Sequence, residues 1–197
     1  MMRGRLAAVI LWALGTLIAG CVSSPDSPYF TLNATMNHAV ESSSLSVVVG
    51  PVSVPAAVDR PQIVVSTGPN QVRVDDYNRW ASPLQSNISR VIADNLGSIL
   101  GTARVSVFPQ ALVATADYQA AVEVQSFESA LGEAATLDAV WTVRRIKDGK
   151  LRVGRTTVRE PASERGYDPL PAAHSRAAAR LSQDIAGAVR ALDGPGE

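Results

Sequence analysis

The sequence predicts an α+β fold: a mostly antiparallel sheet with two helices packed on one face, in a single domain behind an N-terminal leader and tether. Three observations predict it. Runs rich in β-branched residues recur between Leu45 and Glu160, several of them joined by short turn signals. Two longer segments carry apolar residues at steps of three and four, the helical period. The order is strands followed by a helix, twice over, with hairpins predominating.

The elements follow in order. "YFTL" at Tyr29 to Leu32 adds a short strand within a segment otherwise rich in Ser, Pro, Asn and Thr. "LSVVVGPVSVP" (Leu45 to Pro55) is apolar and β-branched, hence a buried strand, with Gly50-Pro51 as a bend or bulge. "QIVVS" and "QVRVD" flank Thr67-Gly68-Pro69-Asn70, the composition of a hairpin turn. The first helix has Ser82 as its cap, Pro83 in its first turn and Gln85 completing a capping box. Leu84, Ile88, Val91, Ile92, Leu96, Ile99 and Leu100 share one face of it, and Gly101 ends it.

The second half reads as a meander. "ARVSVF" (Ala103 to Phe108) is a short strand, and Asp117 to Phe127 alternates with Tyr118, Ala120, Val122 and Val124 on one side. Ala135 to Ile146 leads through Asp148-Gly149, a two-residue hairpin signal, into "LRVGRTTVRE". Pro161 to Pro171 is a loop. The last helix aligns Leu170, His174, Ala177, Leu181, Ile185, Ala188 and Leu192, and stops at Gly194.

Ahead of this domain stands a leader. Arg3 and Arg5 precede an apolar run, Ala7 to Ala19, that ends in small residues, the pattern of a secretory signal peptide. The run is shorter than the ~20 residues a membrane span needs. The chain's single cysteine is Cys21, so neither a disulfide nor a thiolate zinc site is available to it. Ile18-Ala19-Gly20-Cys21 resembles the bacterial lipobox. That resemblance implies diacylglycerol on the Cys21 sulfur, cleavage after Gly20 and acylation of the new amino terminus. One acyl chain binds a membrane reversibly, at ~0.8 kcal/mol per buried methylene, whereas three hold firmly. Val22 stands where enteric bacteria place the Asp that retains a lipoprotein in the inner membrane, so by that analogy the protein faces the periplasm from the outer membrane. The expected organisation is a signal peptide at residues 1–20, a lipidated tether at 21–44, a domain at 45–193 and a tail at 194–197.

Cleavage would leave 177 of the 197 residues, enough for a full core. Losing Arg3 and Arg5 leaves 16 basic against 18 acidic residues, a net charge near −2. No basic stripe exists for nucleic acid and no polybasic patch for lipid headgroups. The usual motifs of hydrolases, zinc proteases and phosphate-binding loops are missing. His38 falls in the tether and His174 on the apolar side of a helix, neither with an evident partner. Asp75-Asp76 at a strand end reads as a turn. The chain is therefore expected to be no enzyme, with no catalytic residue, no metal ligand and no cofactor beyond the lipid on Cys21.

One region is richer than a plain core needs: "DRPQIVV" (Asp59 to Val65) and "DDYNRWASPL" (Asp75 to Leu84). Tyr, Arg and Trp dominate interface hot spots because they join large area to directional polar groups. Arg60, Pro61, Gln62, Tyr77, Arg79 and Trp80 are accordingly the candidate partner-binding residues. Packing is the competing role: Trp80 would plug the helix onto the sheet while Arg79 pairs with an acid such as Asp76.

The order lipobox, "YFTL", "VVVGPVSVP", "DRPQIVV", "YNRWASPLQSNISRVIADNL" resembles the PqiC/YmbA-type lipoproteins, also called ABC-type transport auxiliary lipoproteins. Arg60 to Ile63 and Arg79 to Leu84 are the most specific landmarks, and the likeness runs from Cys21 to about Phe108, then more weakly to Leu192. The resemblance implies an outer-membrane lipoprotein acting with an MCE-domain protein and an inner-membrane transport component to move lipids between membranes. It implies too a homo-oligomer docked on the MCE partner. A lipid-binding or envelope-assembly lipoprotein is the alternative reading, and a lipoprotein hydrolase is disfavoured for want of a nucleophile and base.

Overall fold

A computed structural model describes residues 27–36, 42–109 and 115–194. The signal segment, the lipobox, Cys21 and His38 lie outside the described residues. The elements are β1 (Tyr29–Phe30), β2 (Val47–Ser53), β3 (Gln62–Gly68), β4 (Gln71–Trp80), α1 (Leu84–Leu100), β5 (Val105–Val107), β6 (Tyr118–Ala130), β7 (Ala134–Arg145), β8 (Leu151–Pro161) and α2 (Pro169–Asp193).

The α+β class and its two helices are as the sequence predicts, but the strands form two sheets. The larger runs β5-β2-β6-β7-β8 and the smaller β1-β4-β3. The three hairpins, β3–β4, β6–β7 and β7–β8, are antiparallel. β2 instead runs parallel to both β5 and β6, and β1 parallel to β4. The β2–β5 pair is parallel because the β3–β4 hairpin and α1 together form a crossover between those two strands, the long connection that parallel neighbours need.

Strict alternation sets the core. On β6 and β7 every second side chain is buried, with Tyr118, Ala120, Val122, Val124 and then Leu137, Ala139, Trp141, Val143 facing inward. A bulge between Val124 and Ser126 brings Phe127 onto the same inner face. Over that face lie the helices: α1 on β2 and β5, α2 on β7 and β8, each packed against the other. Among the described residues no helix is long and apolar enough to cross a membrane.

Several ends differ from the sequence reading. No side chain caps α1, because Pro83 takes the N-cap position with φ −49° and ψ 132°. Ser82 therefore sits one residue too early for a capping box, and the Asn87 amide donates to the Pro83 carbonyl at 3.0 Å. The helix does end at Gly101, in the left-handed conformation. α2 starts at Pro169, inside the segment read as loop, since proline lacks only an N–H that has no partner in a first turn. Arg145 pairs with Lys150, so Asp148-Gly149 closes a four-residue turn and not a two-residue one.

The segment read as a tether is in part fixed to the body. Leu32 is wholly buried. The Leu32 amide donates to Asn87 Oδ1 at 3.3 Å, and those of Thr35 and Met36 donate to Asn95 Oδ1 at 3.1 and 3.2 Å. The Asn33 amide donates to Ser175 Oγ at 3.1 Å, and Arg90 Nη2 donates to the Leu32 carbonyl at 2.6 Å. Side chains of both helices thus supply the partners that a strap without its own ladder requires.

Candidate docking site

The candidate residues come from two segments that the fold lays side by side. Gln62 opens β3 directly across from Arg79, and the Trp80 amide donates to the Pro61 carbonyl at 2.7 Å. On the other flank of β4 lies β1, with Tyr29 opposite Arg79 and Phe30 opposite Trp80. The Arg79 amide donates to Pro28 and the Ala81 amide to Phe30, at 3.1 and 2.8 Å. "YFTL", "RPQI" and "YNRW" are therefore one three-stranded edge. Beside it Asp59, Arg60, Pro61, Trp80, Ala81, Ser82 and Pro83 line an open depression of about 420 Å³.

Between its two ends the hairpin is out of step. From Gln62 to Val64 on β3 is two residues, while their partners Arg79 and Val74 on β4 are five apart. Asp75 to Asn78 thus stand as four residues against Ile63 alone, three more than the ladder needs, and form a bulge held from within. Asp75 Oδ1 accepts from the amides of Tyr77 and Asn78, at 3.0 and 2.6 Å, and from Asn78 Nδ2 at 2.9 Å. Burial pushes the Asp75 carboxyl up. The Asn78 amide, the Tyr167 hydroxyl, the Asn78 side chain and the Tyr77 amide outweigh that and hold it at about 2. The Asp75-Asp76 pair is thus a structural turn, and its effect is to stand Tyr77 half exposed in solvent.

Trp80 takes the opposite course. It is 5% exposed, so only an edge of the ring reaches the depression, and packing is the role its burial shows. Its indole lies edge-on to Phe127 and to His174, with centroids 6.1 and 6.4 Å apart. Phe127 and His174 stack at 3.7 Å. His174 Nε2 lies 2.8 Å from Ser129 Oγ, and burial alone lowers its pKa to about 3, so the ring is neutral and belongs to the core. Arg79 forms no pair with the Asp76 carboxylate: its Nε and Nη2 donate to the Asp76 carbonyl at 3.4 and 3.1 Å.

The site is thus split, with Trp80 inside, Arg60 and Pro61 exposed at the depression, and Gln62, Tyr77 and Arg79 partly or half exposed along the edge. Phe127, Ser129, Asn87 and Asn95 support it and were not foreseen. The two asparagines left a signal, since polar amides interrupt the apolar face of α1 on either side of Ile88, Val91 and Ile92. Among the described residues no three His, Cys, Asp or Glu side chains gather as a metal site.

No curated protein matches the chain. Solved structures share its fold, two of them over most of the chain. One, described as an uncharacterized protein, is 23% identical with a TM-score of 0.69, over 84% of this chain and 99% of that one. The other, a Xanthomonas campestris protein assigned to the DUF330 family, is 20% identical with a TM-score of 0.68, over 82% of this chain and 94% of that one. The family model for the ABC-type transport auxiliary lipoprotein component matches residues 30–186, from β1 into α2. On that match, the chain belongs to the ABC-type transport auxiliary lipoprotein component family.

Proposed function

We propose that the protein is an outer-membrane lipoprotein, anchored by acyl chains on Cys21 and facing the periplasm. In this reading it serves, without enzymatic chemistry, as the auxiliary part of an MCE/Pqi-type intermembrane lipid transport system. Its task is to dock on the MCE-domain protein, as one of several identical copies, while an inner-membrane component supplies the energy. Membership of the transport auxiliary family supports the class of function. The observation that carries the docking site is the convergence of both landmark runs and "YFTL" on one edge, beside an open depression, with Tyr77 held outward by a hydrogen-bonded bulge. A bulge maintained at the cost of three ladder positions earns its place by what it displays.

The test is affinity capture of the MCE-domain protein from cells making both partners, using full-length protein with Tyr77→Ala and Arg79→Ala. Capture is expected to fall at least tenfold, about 1.4 kcal/mol or more of binding, with the thermal midpoint unchanged. Undiminished capture by the folded double variant contradicts the docking assignment. Bound lipid in native mass spectra of the protein, with no partner captured, would favour a lipid-carrier role.

A further inference from the structure

The small sheet has one face in the core and one largely open to solvent, on which Val64 alone is buried, beside the end of β6. Ile63, Val65, Phe30 and Trp80 point into the core. By strand alternation and the pairing register, Tyr29, Arg79, Gln62, Val74 and Val72 share the opposite face. Among the described residues seven large apolar side chains stay exposed. Four of them, Tyr29, Val72, Val74 and Tyr77, lie on β1 and β4, the first three on this outward face, and the first and second are 64% and 59% exposed. Apolar side chains gathered on one face of a small sheet mark a protein or membrane contact, whereas scattered ones do not.

The length of chain before β1 decides between these. Ser27 is already at the body, hydrogen bonding begins at Pro28, and everything from Thr31 to Met36 is clamped to the helices. Only six residue steps separate Ser27 from Cys21. A fully extended chain spans at most ~3.6 Å per residue, so the Cys21 Cα stays within ~22 Å of Ser27. An anchor on so short a leash cannot present the far side of the domain to the bilayer. The end that meets the membrane is the one carrying β1, and its outward face is the apolar one. Tyrosine suits that place, since its ring is apolar and its hydroxyl reaches water at the headgroup level.

We infer that the outward face of the small sheet, through Tyr29, Val72 and Val74, rests on the headgroup region of the membrane that holds Cys21. The inference depends on the Cys21 anchor of the proposed function, and it narrows the docking geometry. The MCE partner has to arrive from the depression side, past Arg60 and Pro61, with Tyr77 and Arg79 at the border between protein and lipid. The core of the larger sheet, and α2 with it, is turned toward the periplasm.

Acylation consumes the chain's one thiol, so an introduced cysteine carries a unique probe. The experiment places full-length, acylated protein in vesicles of phosphatidylethanolamine and phosphatidylglycerol, with an environment-sensitive fluorophore on Tyr29→Cys, Val72→Cys or Val153→Cys. Val153 is as exposed and as apolar, but lies on β8 of the other sheet. Blue-shifted emission and quenching by lipid-borne nitroxide are expected at positions 29 and 72 and not at 153. Water-like emission at 29 and 72 overturns the inference, as does equal shielding at all three. Shielding of 29 and 72 that appears only when the MCE-domain protein is added overturns it in favour of a protein interface. Palmitate incorporation is measured on the same preparations. Protein that takes palmitate yet shows wetted probes leaves the anchor standing and removes only the facing, whereas protein without palmitate removes both.

Discussion

Trp80 packs edge-on against Phe127 and His174 with almost no solvent exposure. Trp80→Ala is therefore expected to lose ~3–5 kcal/mol in urea unfolding, the range for emptying a buried aromatic site. Tyr77→Ala, three residues away on the bulge, should stay within ~0.5 kcal/mol of the parent, as surface substitutions do. Gly154 is constrained from the other side of the core: a Cβ built there would sit 2.1 Å from Trp141 Cζ2. Gly154→Ala must displace an indole whose Nε1 donates to Thr156 Oγ1 at 2.9 Å, so it should cost ~1–3 kcal/mol in the same measurement. His174 gives the fold a pH dependence of its own. Its pKa is about 3 when folded, below the ordinary 6.5, so the unfolded chain binds the proton first. Its contribution is present above pH 6.5 and is lost as pH falls from there toward 3, at no more than ~1.4 kcal/mol per pH unit. The carboxyls of Asp75 and Asp148, held at about 2 against an ordinary 3.8, contribute in full above 3.8 and lose that as pH falls toward 2. Stability measured from pH 7 to pH 5 therefore isolates the histidine, and His174→Phe should flatten that stretch of the curve.

At the scale of elements, the strap from Thr31 to Met36 behaves as a part of the fold built from side chains of other elements. Removing the Asn95 amide by Asn95→Ala leaves the Thr35 and Met36 amides without their acceptor. Hydrogen exchange at those two amides should quicken, while the β6–β7 hairpin keeps its protection. That strap was illegible in the sequence for a physical reason: its bonds come from asparagine and serine side chains on helices, which leave no periodicity in the strap itself. The helix α1 was legible because Leu84, Ile88, Val91, Ile92 and Leu96 repeat at the helical step and are all buried. Its start was misread because a capping box is a local pattern, and Pro83 in the N-cap position overrides it. The β3–β4 and β7–β8 hairpins were legible from turn residues between the runs, and β6–β7 only as part of a meander. The pairing of β2 with β5 and β6 was not, since an apolar β-branched run shows that a strand is buried and not which neighbours bury it. In the candidate site, Tyr77 and Arg79 stand out by residue type, and Arg60, Pro61 and Gln62 by the run that holds them. The bulge that separates exposed Tyr77 from buried Trp80 depends on a register between β3 and β4 that composition does not encode.

For the whole molecule the decisive quantity is the distance from Cys21 to the body. A flexible arm running to Ser44 would have let the domain range through the periplasm. With Ser27 to Met36 held on the body, six residue steps separate Cys21 from the fold, so the proposed Cys21 anchor would keep the domain close against its membrane. In the proposed reading, a transport auxiliary component so placed would work as a fixed membrane-side fitting to which its partner extends. All of this rests on the acylation of one sulfur. The direct measurement is radioactive palmitate labelling with membrane fractionation, comparing the full-length protein with Cys21→Ser. The account predicts label and outer-membrane sedimentation for the parent, with neither for the variant. A parent that takes no label, or a Cys21→Ser protein that still sediments with the outer membrane after processing, would contradict it.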